Sequence, residues 1–163
     1  QKELSKSGGN YLKLKEGDTK FRIVSDPIQG WEGWQDNKPV RRTLDNTFTA
    51  DEKKALDSND NGKPKLKEFV ACAVWDYEDA KVKVLSLTQA SIIRAISEYT
   101  SDSDFGDPQE YDLKISRKGA GLETEYTVKA LPPRPLVPDV EQAVKETKVN
   151  LDALFENGDP FAA

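Results

Sequence analysis

The chain has 163 residues, 36% of them hydrophobic and 33% charged, a length that fits one domain with appendages, since about 100–200 residues per domain is usual. It holds no histidine, no methionine and a single cysteine, which excludes His-based triads, histidine general bases, ordinary Cys/His zinc sites and an internal disulfide framework. The formal charge is −5, yet residues 139–163 carry six acids against two lysines, a net of −4, so the other residues sum to only −1.

Nine prolines, ten glycines and a mean hydropathy of −0.72 indicate a sheet-and-loop protein with much polar surface. No stretch approaches the ~18 apolar residues of a membrane span, and no hydrophobic signal core opens the sequence. The expectation is a soluble protein inside a cell, with no cofactor and no membrane partner. The missing methionine at position 1 reads as a trimmed piece of a longer chain.

Residues 1–10 read as a flexible lead-in. Tyr11 to Lys15 and Thr19 to Val24 alternate as strands do, the second with Phe21 and Ile23 on one face and Lys20 and Arg22 on the other. A loop rich in tryptophan and cations is expected over 27–43. A polar segment, 45–65, holds a short helix from Ala50 to Leu56 and a turn cluster, Asp57-Ser58-Asn59-Asp60-Asn61-Gly62. Residues 67–77 and 80–87 then form a hairpin around Glu78-Asp79. Pairing Tyr77 with Ala80 puts Phe69, Ala71, Ala73, Trp75, Val82 and Val84 on one face, and Val74, Asp76, Lys81 and Lys83 on the other.

Thr88 is placed to cap a helix running to about Tyr99, with Ile92, Ile93, Ile96 and Tyr99 as its apolar stripe. Two further alternating runs, Glu110 to Arg117 and Glu123 to Leu131, flank Lys118-Gly119-Ala120-Gly121 as a second hairpin. Pro132, Pro133, Pro135 and Pro138 make a stiff linker. Asp139 caps a short helix with Val140, Val144 and Leu151 on its apolar side. The order is three strands, a helix and two strands, which suits a five-stranded oligonucleotide-binding barrel with one helix between strands 3 and 4. A small α+β sheet is allowed equally by spacing.

Four constellations could carry chemistry. Trp31, Trp34, Lys38, Arg41 and Arg42 fall within a short predicted loop; flat aromatics stack on unpaired bases while cations neutralise phosphates. The competing role for the tryptophans is to close one end of a core. Lys65 and Lys67 lead into the central hairpin, Trp75 and Tyr77 lie on its outgoing arm, and Lys81 and Lys83 lie on its return, a pattern able to track a phosphate backbone. The run from Asp57 to Glu68 matches the EF-hand calcium pattern, but Lys63, Pro64 and Lys65 oppose it and a strand begins at Glu68 where a helix should, so a turn is expected and no metal. The C-terminal Asp159-Pro160-Phe161, an acidic stretch with an aromatic tip, suits a basic, apolar-floored pocket on a partner or the protein's own groove. No phosphate-binding loop, dinucleotide fingerprint or nucleophile elbow is present, so no enzymatic activity is expected.

Taken in order, Lys20-Phe21-Arg22-Ile23 with Gly30-Trp31-Glu32, Lys38-Pro39-Val40-Arg41, Val74-Trp75-Asp76-Tyr77 with Lys81-Val82-Lys83-Val84-Leu85, and Asp107-Pro108 with Tyr111-Asp112-Leu113 resemble bacteriophage single-stranded DNA-binding proteins over residues 18–131. The resemblance implies an oligonucleotide-binding barrel over 11–131, coating single strands in replication or recombination without sequence preference, in the cytoplasm of an infected bacterial host. Residues 132–163 read as a proline linker, short helix and acidic tail; its Asp159, Pro160 and Phe161 resemble the acidic ending of bacterial single-stranded DNA-binding proteins, which implies recruitment of replication or recombination proteins. Ala162 and Ala163 depart from the tail ending in phenylalanine, and the zinc site of T4-type binders cannot be built here. The alternative is a phage adaptor acting through protein–protein contacts.

Overall fold

A computed structural model describes residues 10–162; the expected lead-in lies, but for Asn10, outside the described residues. Seven strands form a mainly antiparallel sheet: β1 (Gly17–Ile23), β2 (Ile28–Gln35), β3 (Lys38–Thr43), β4 (Lys67–Asp76), β5 (Lys81–Leu87), β6 (Asp112–Lys118) and β7 (Glu125–Ala130). Helices α1 (Ala50–Ala55), α2 (Ala90–Ser101) and α3 (Pro138–Glu146) join them, with a short 3₁₀ segment at Leu151–Glu156. The sheet runs β3-β2-β4-β1-β6-β7, and β5 pairs with the other edge of β4. Among the described residues no pairing joins β7 to β3 or β5, so the sheet is open.

Seven strands stand where five were expected, because 27–43 is a hairpin and no loop. Asp36 and Asn37 both take the left-handed conformation at its tip (φ 53° and 65°), the backbone that lets a two-residue turn match the strand twist. Asp57 fixes that turn, its carboxylate accepting the Asp36 and Asn37 amides at 3.1 and 3.0 Å. The acid read as the first position of a calcium loop thus holds the β2–β3 turn. Pro39, which has no amide to give a ladder, sits on the edge strand β3. Gly30 admits the close approach of that strand, since a Cβ there would lie 2.1 Å from the Arg42 carbonyl oxygen.

β1 and β2 follow one another along the same edge of β4. Ile23 pairs with Val74, Ile28 with Ala71, and the register shifts by two residues between them. On the opposite edge, Trp75 pairs with Val82 and Asp76 with Lys81, the expected register. One face of the sheet carries Phe21, Ile23, Cys72, Val74, Leu85, Leu87, Leu113 and Ile115, covered by Ile92, Ile93, Ile96 and Tyr99 of α2. Helix α2 starts at Ala90 with Gln89 as its cap, so Thr88 does not cap it. The stretch from Tyr11 makes only an isolated bridge to Val84 and no strand.

The other face carries Phe69, Ala71, Ala73, Trp75, Val82 and Val84, as the alternation requires. An apolar strip of that size must be covered, and the C-terminal residues cover it. Val140, Ala143 and Val144 of α3 pack on Ala73, Trp75 and Val82, while Leu151, Leu154 and Phe155 pack on Phe69, Ala71 and Val84. Residues 138–162 are therefore part of the packed structure and not an extended tail. Pro138 opens α3 at the position that needs no amide, with Val137 and not Asp139 as the cap.

Candidate nucleic-acid interface

Cross-strand register sorts the expected contact residues into three groups. Trp34, Lys65 and Lys67 come together with Asn59, Pro64 and Leu66 around a shallow concavity at the hairpin end. Trp34 is 37% exposed, and Lys65 and Lys67 are exposed too. An exposed indole that shares a concavity with two lysines can stack a base while the phosphates are neutralised. Lys38, opposite Gln35 at the hairpin tip, is exposed as well.

A second group faces the other way or is engaged. Trp31 lies opposite Arg42 and Glu68 on the α2 side of the sheet and is half-buried. Arg42 stacks on Phe48, 5.0 Å from its ring centre, and pairs with Glu52 at 3.0 Å. Arg41 donates to Glu32 at 2.9 Å and to the Leu154 carbonyl at 3.1 Å, its guanidinium 4.8 Å from the Phe69 ring centre.

The third group is buried. Trp75 is 6% exposed beneath α3. Lys83 is 6% exposed and pairs with Asp76 at 2.7 Å and Asp79 at 2.6 Å. Burial pulls its ammonium down, but the bonds and charges of both aspartates outweigh that and hold it above the ordinary lysine value. With its ammonium closed off in this way, Lys83 does not reach a phosphate here. Alternation alone had made it resemble exposed Lys81.

The docked C-terminus changes the setting of its aromatic tip. Pro160 is buried and its carbonyl accepts the Asn150 amide at 2.7 Å. Phe161 packs half-buried against the clusters around both Phe69 and Trp75. Asp159 is exposed and accepts the Phe161 amide at 2.9 Å.

Sequence reading passed over a row on the same sheet face. Lys20 of β1 pairs directly with Lys114 of β6, which pairs directly with Lys129 of β7. Tyr77 flanks the row, with the Lys20 ammonium 4.6 Å from its ring centre. The Tyr77 hydroxyl donates to Asp112 at 2.7 Å, and burial together with that carboxylate raises its pKa. Lys20 stands on the polar side of a predicted strand, but only the register aligns it with Lys114 and Lys129. Among the described residues, no group of three or more Cys, Asp and Glu could hold a metal ion, and no helix is long and apolar enough to cross a membrane.

The chain is 29% identical over 141 residues to a probable ssDNA-binding protein of Escherichia phage T5, covering 74% of this chain and 54% of the relative. It thus spans about half the length of the curated relative it matches. That similarity agrees with the resemblance drawn from the residues themselves. No protein-family model and no solved structure matches the chain.

Proposed function

We propose that this protein binds single-stranded DNA without sequence preference and has no enzymatic activity of its own. The observation that carries the reading is the exposed Trp34, which lines one concavity with Lys65 and Lys67, in a chain similar to a protein named as a probable single-stranded DNA binder. Stacking and phosphate neutralisation are indifferent to base identity, which suits coating. The reading places the protein in phage replication or recombination, within the infected bacterial host.

The barrel interpretation is part of this proposal. With β1 and β2 counted as one bent strand along β4, the chain gives five strands, with α2 between the third and fourth, and β3 becomes an added arm. That order supports an oligonucleotide-binding architecture opened at one seam. Docking of Asp159-Pro160-Phe161 on the sheet supports a tail that must be released before it recruits a replication or recombination protein.

Titration with dye-labelled oligo-dT followed by fluorescence anisotropy tests the reading. Trp34→Ala should weaken binding by about 1–3 kcal/mol, equally on oligo-dT and oligo-dA, with the fold intact by circular dichroism. Binding unaffected by Trp34→Ala removes this site from the interface, and absence of binding by the unaltered chain removes the function.

A further inference from the structure

We infer that the row Lys20–Lys114–Lys129 is a second contact for the phosphate backbone of single-stranded DNA, separate from the hairpin site; the inference rests on the DNA-binding reading above. Three lysines occupy directly opposed positions on β1, β6 and β7. Like charges at directly opposed positions destabilise a sheet, and strands about 4.8 Å apart put the three within roughly 10 Å. In a chain of net charge −5, such a row is a local reversal of sign.

Two long ion pairs, Lys20 with Asp112 and Lys114 with Asp18, neutralise it only in part. Asp112 is held by Arg22 at 2.8 Å and Arg134 at 3.1 Å, and Lys20 reaches it only at 3.9 Å. Asp18 stands 3.9 Å from Lys114 and is itself largely exposed. The side chains of Lys20 and Lys114 remain 37% and 34% exposed, and Lys129 is exposed. A mobile polyanion would supply the missing counter-charge.

Edge protection accounts for one of the three. Lysine on an edge strand discourages pairing with another chain, and β7 is an edge. β1 and β6 are interior strands, so that explanation leaves Lys20 and Lys114 unaccounted for. The row also shares its sheet face with Trp34 and Lys67, the packed C-terminal segment lying over the strip between them. A strand held at both ends of β4 would cross over that segment or displace it.

The test is a salt titration of oligo-dT binding by the full chain carrying Lys114→Gln and Lys129→Gln. Loss of two phosphate contacts should reduce the slope of log affinity against log salt by ~1.4, since each contact to a single strand contributes ~0.7. Lys114→Arg with Lys129→Arg should keep the slope. The glutamine variant should melt no lower than the unaltered chain, because it relieves repulsion. An unchanged slope while the unaltered chain binds overturns the row and leaves the hairpin site standing. Failure of the unaltered chain to bind oligo-dT overturns both.

Discussion

The two faces of the sheet are closed in different ways. One face is covered by α2, a helix inserted between β5 and β6, which packs Ile92, Ile93, Ile96 and Tyr99 on a continuous apolar floor. The other is covered by residues from the chain's C-terminal part, reached through a proline-rich connection, and only over β4, β5 and their neighbours. The β1–β6–β7 part of that second face keeps its lysines open. A cover drawn from inside the strand order cannot leave without unfolding the sheet, whereas one attached through 131–137 can. The difference separates a face closed from within the strand order from the face that the proposed function would use.

The largest effect that would break this comparison is removal of the second cover. Truncation after Val137 should uncover Trp75 and lower stability, because Phe69, Ala73, Trp75 and Val84 would meet water. It should also remove the net −4 of 139–163 and free Arg41 from the Leu154 carbonyl. Single-strand affinity should therefore rise at low ionic strength, where the Debye length reaches ~30 Å at 0.01 M, and converge with that of the full chain near 1 M, where it is ~3 Å. Circular dichroism checks the fold, acrylamide quenching reads Trp75, and a salt series reads the affinity. A truncated chain with Trp75 still shielded would mean that the arm does not cover this face.

A smaller cut within the same cover asks how firmly it is seated. Leu154 is 2% exposed and packs with Phe69, Ala71 and Val84. Leu154→Ala should cost about 2–5 kcal/mol, the range for truncating a buried leucine, in equilibrium denaturation. On the open part of the same face, Thr127→Ala should stay within about 0.5 kcal/mol. Equal losses at the two positions would erase the contrast between covered and open regions.

Much of this was legible in the sequence because period two is strict where strands are half-buried. The faces of β4 and β5 followed from Phe69, Ala71, Ala73 and Trp75 alternating with Val70, Cys72, Val74 and Asp76, and the structure keeps that register. The β2–β3 hairpin was hidden because Gly30, Trp31, Glu32, Gly33 and Trp34 do not alternate by hydropathy. There, tryptophans fall on both faces and glycines serve backbone approach, so the turn signal Asp36-Asn37 stood alone. The docking of 138–162 was hidden for another reason. Its apolar residues are spread among acids, and only the unmet apolar face of β4 and β5, a long-range fact, calls them back. The lysine row depends on register between strands about 90 residues apart along the chain, which composition does not encode.

The smallest effect sharpens the comparison from the α2 side. Cys72 lies on the face that α2 closes, 5% exposed, and burial pushes its thiol from an ordinary 9.0 up to about 12. A pKa raised in the folded state gives a definite sign. The stabilising contribution is intact below pH 9, where both states keep the proton, and is lost as pH rises towards 12, because only the unfolded chain ionises there. At pH 10 the loss should be about 1.4 kcal/mol, one pKa unit's worth. Cys72→Ala removes this term while leaving every lysine and tyrosine in place. The difference in unfolding free energy between the two chains should therefore narrow by that amount from pH 8 to pH 10, and Cys72 should resist a thiol reagent until the chain unfolds. The covers also predict a ranking. The thiol under α2 should stay protected in the chain truncated after Val137, even as Trp75 becomes accessible to quencher. Simultaneous exposure of both would mean that the two faces open as one unit, and that the C-terminal cover cannot leave alone.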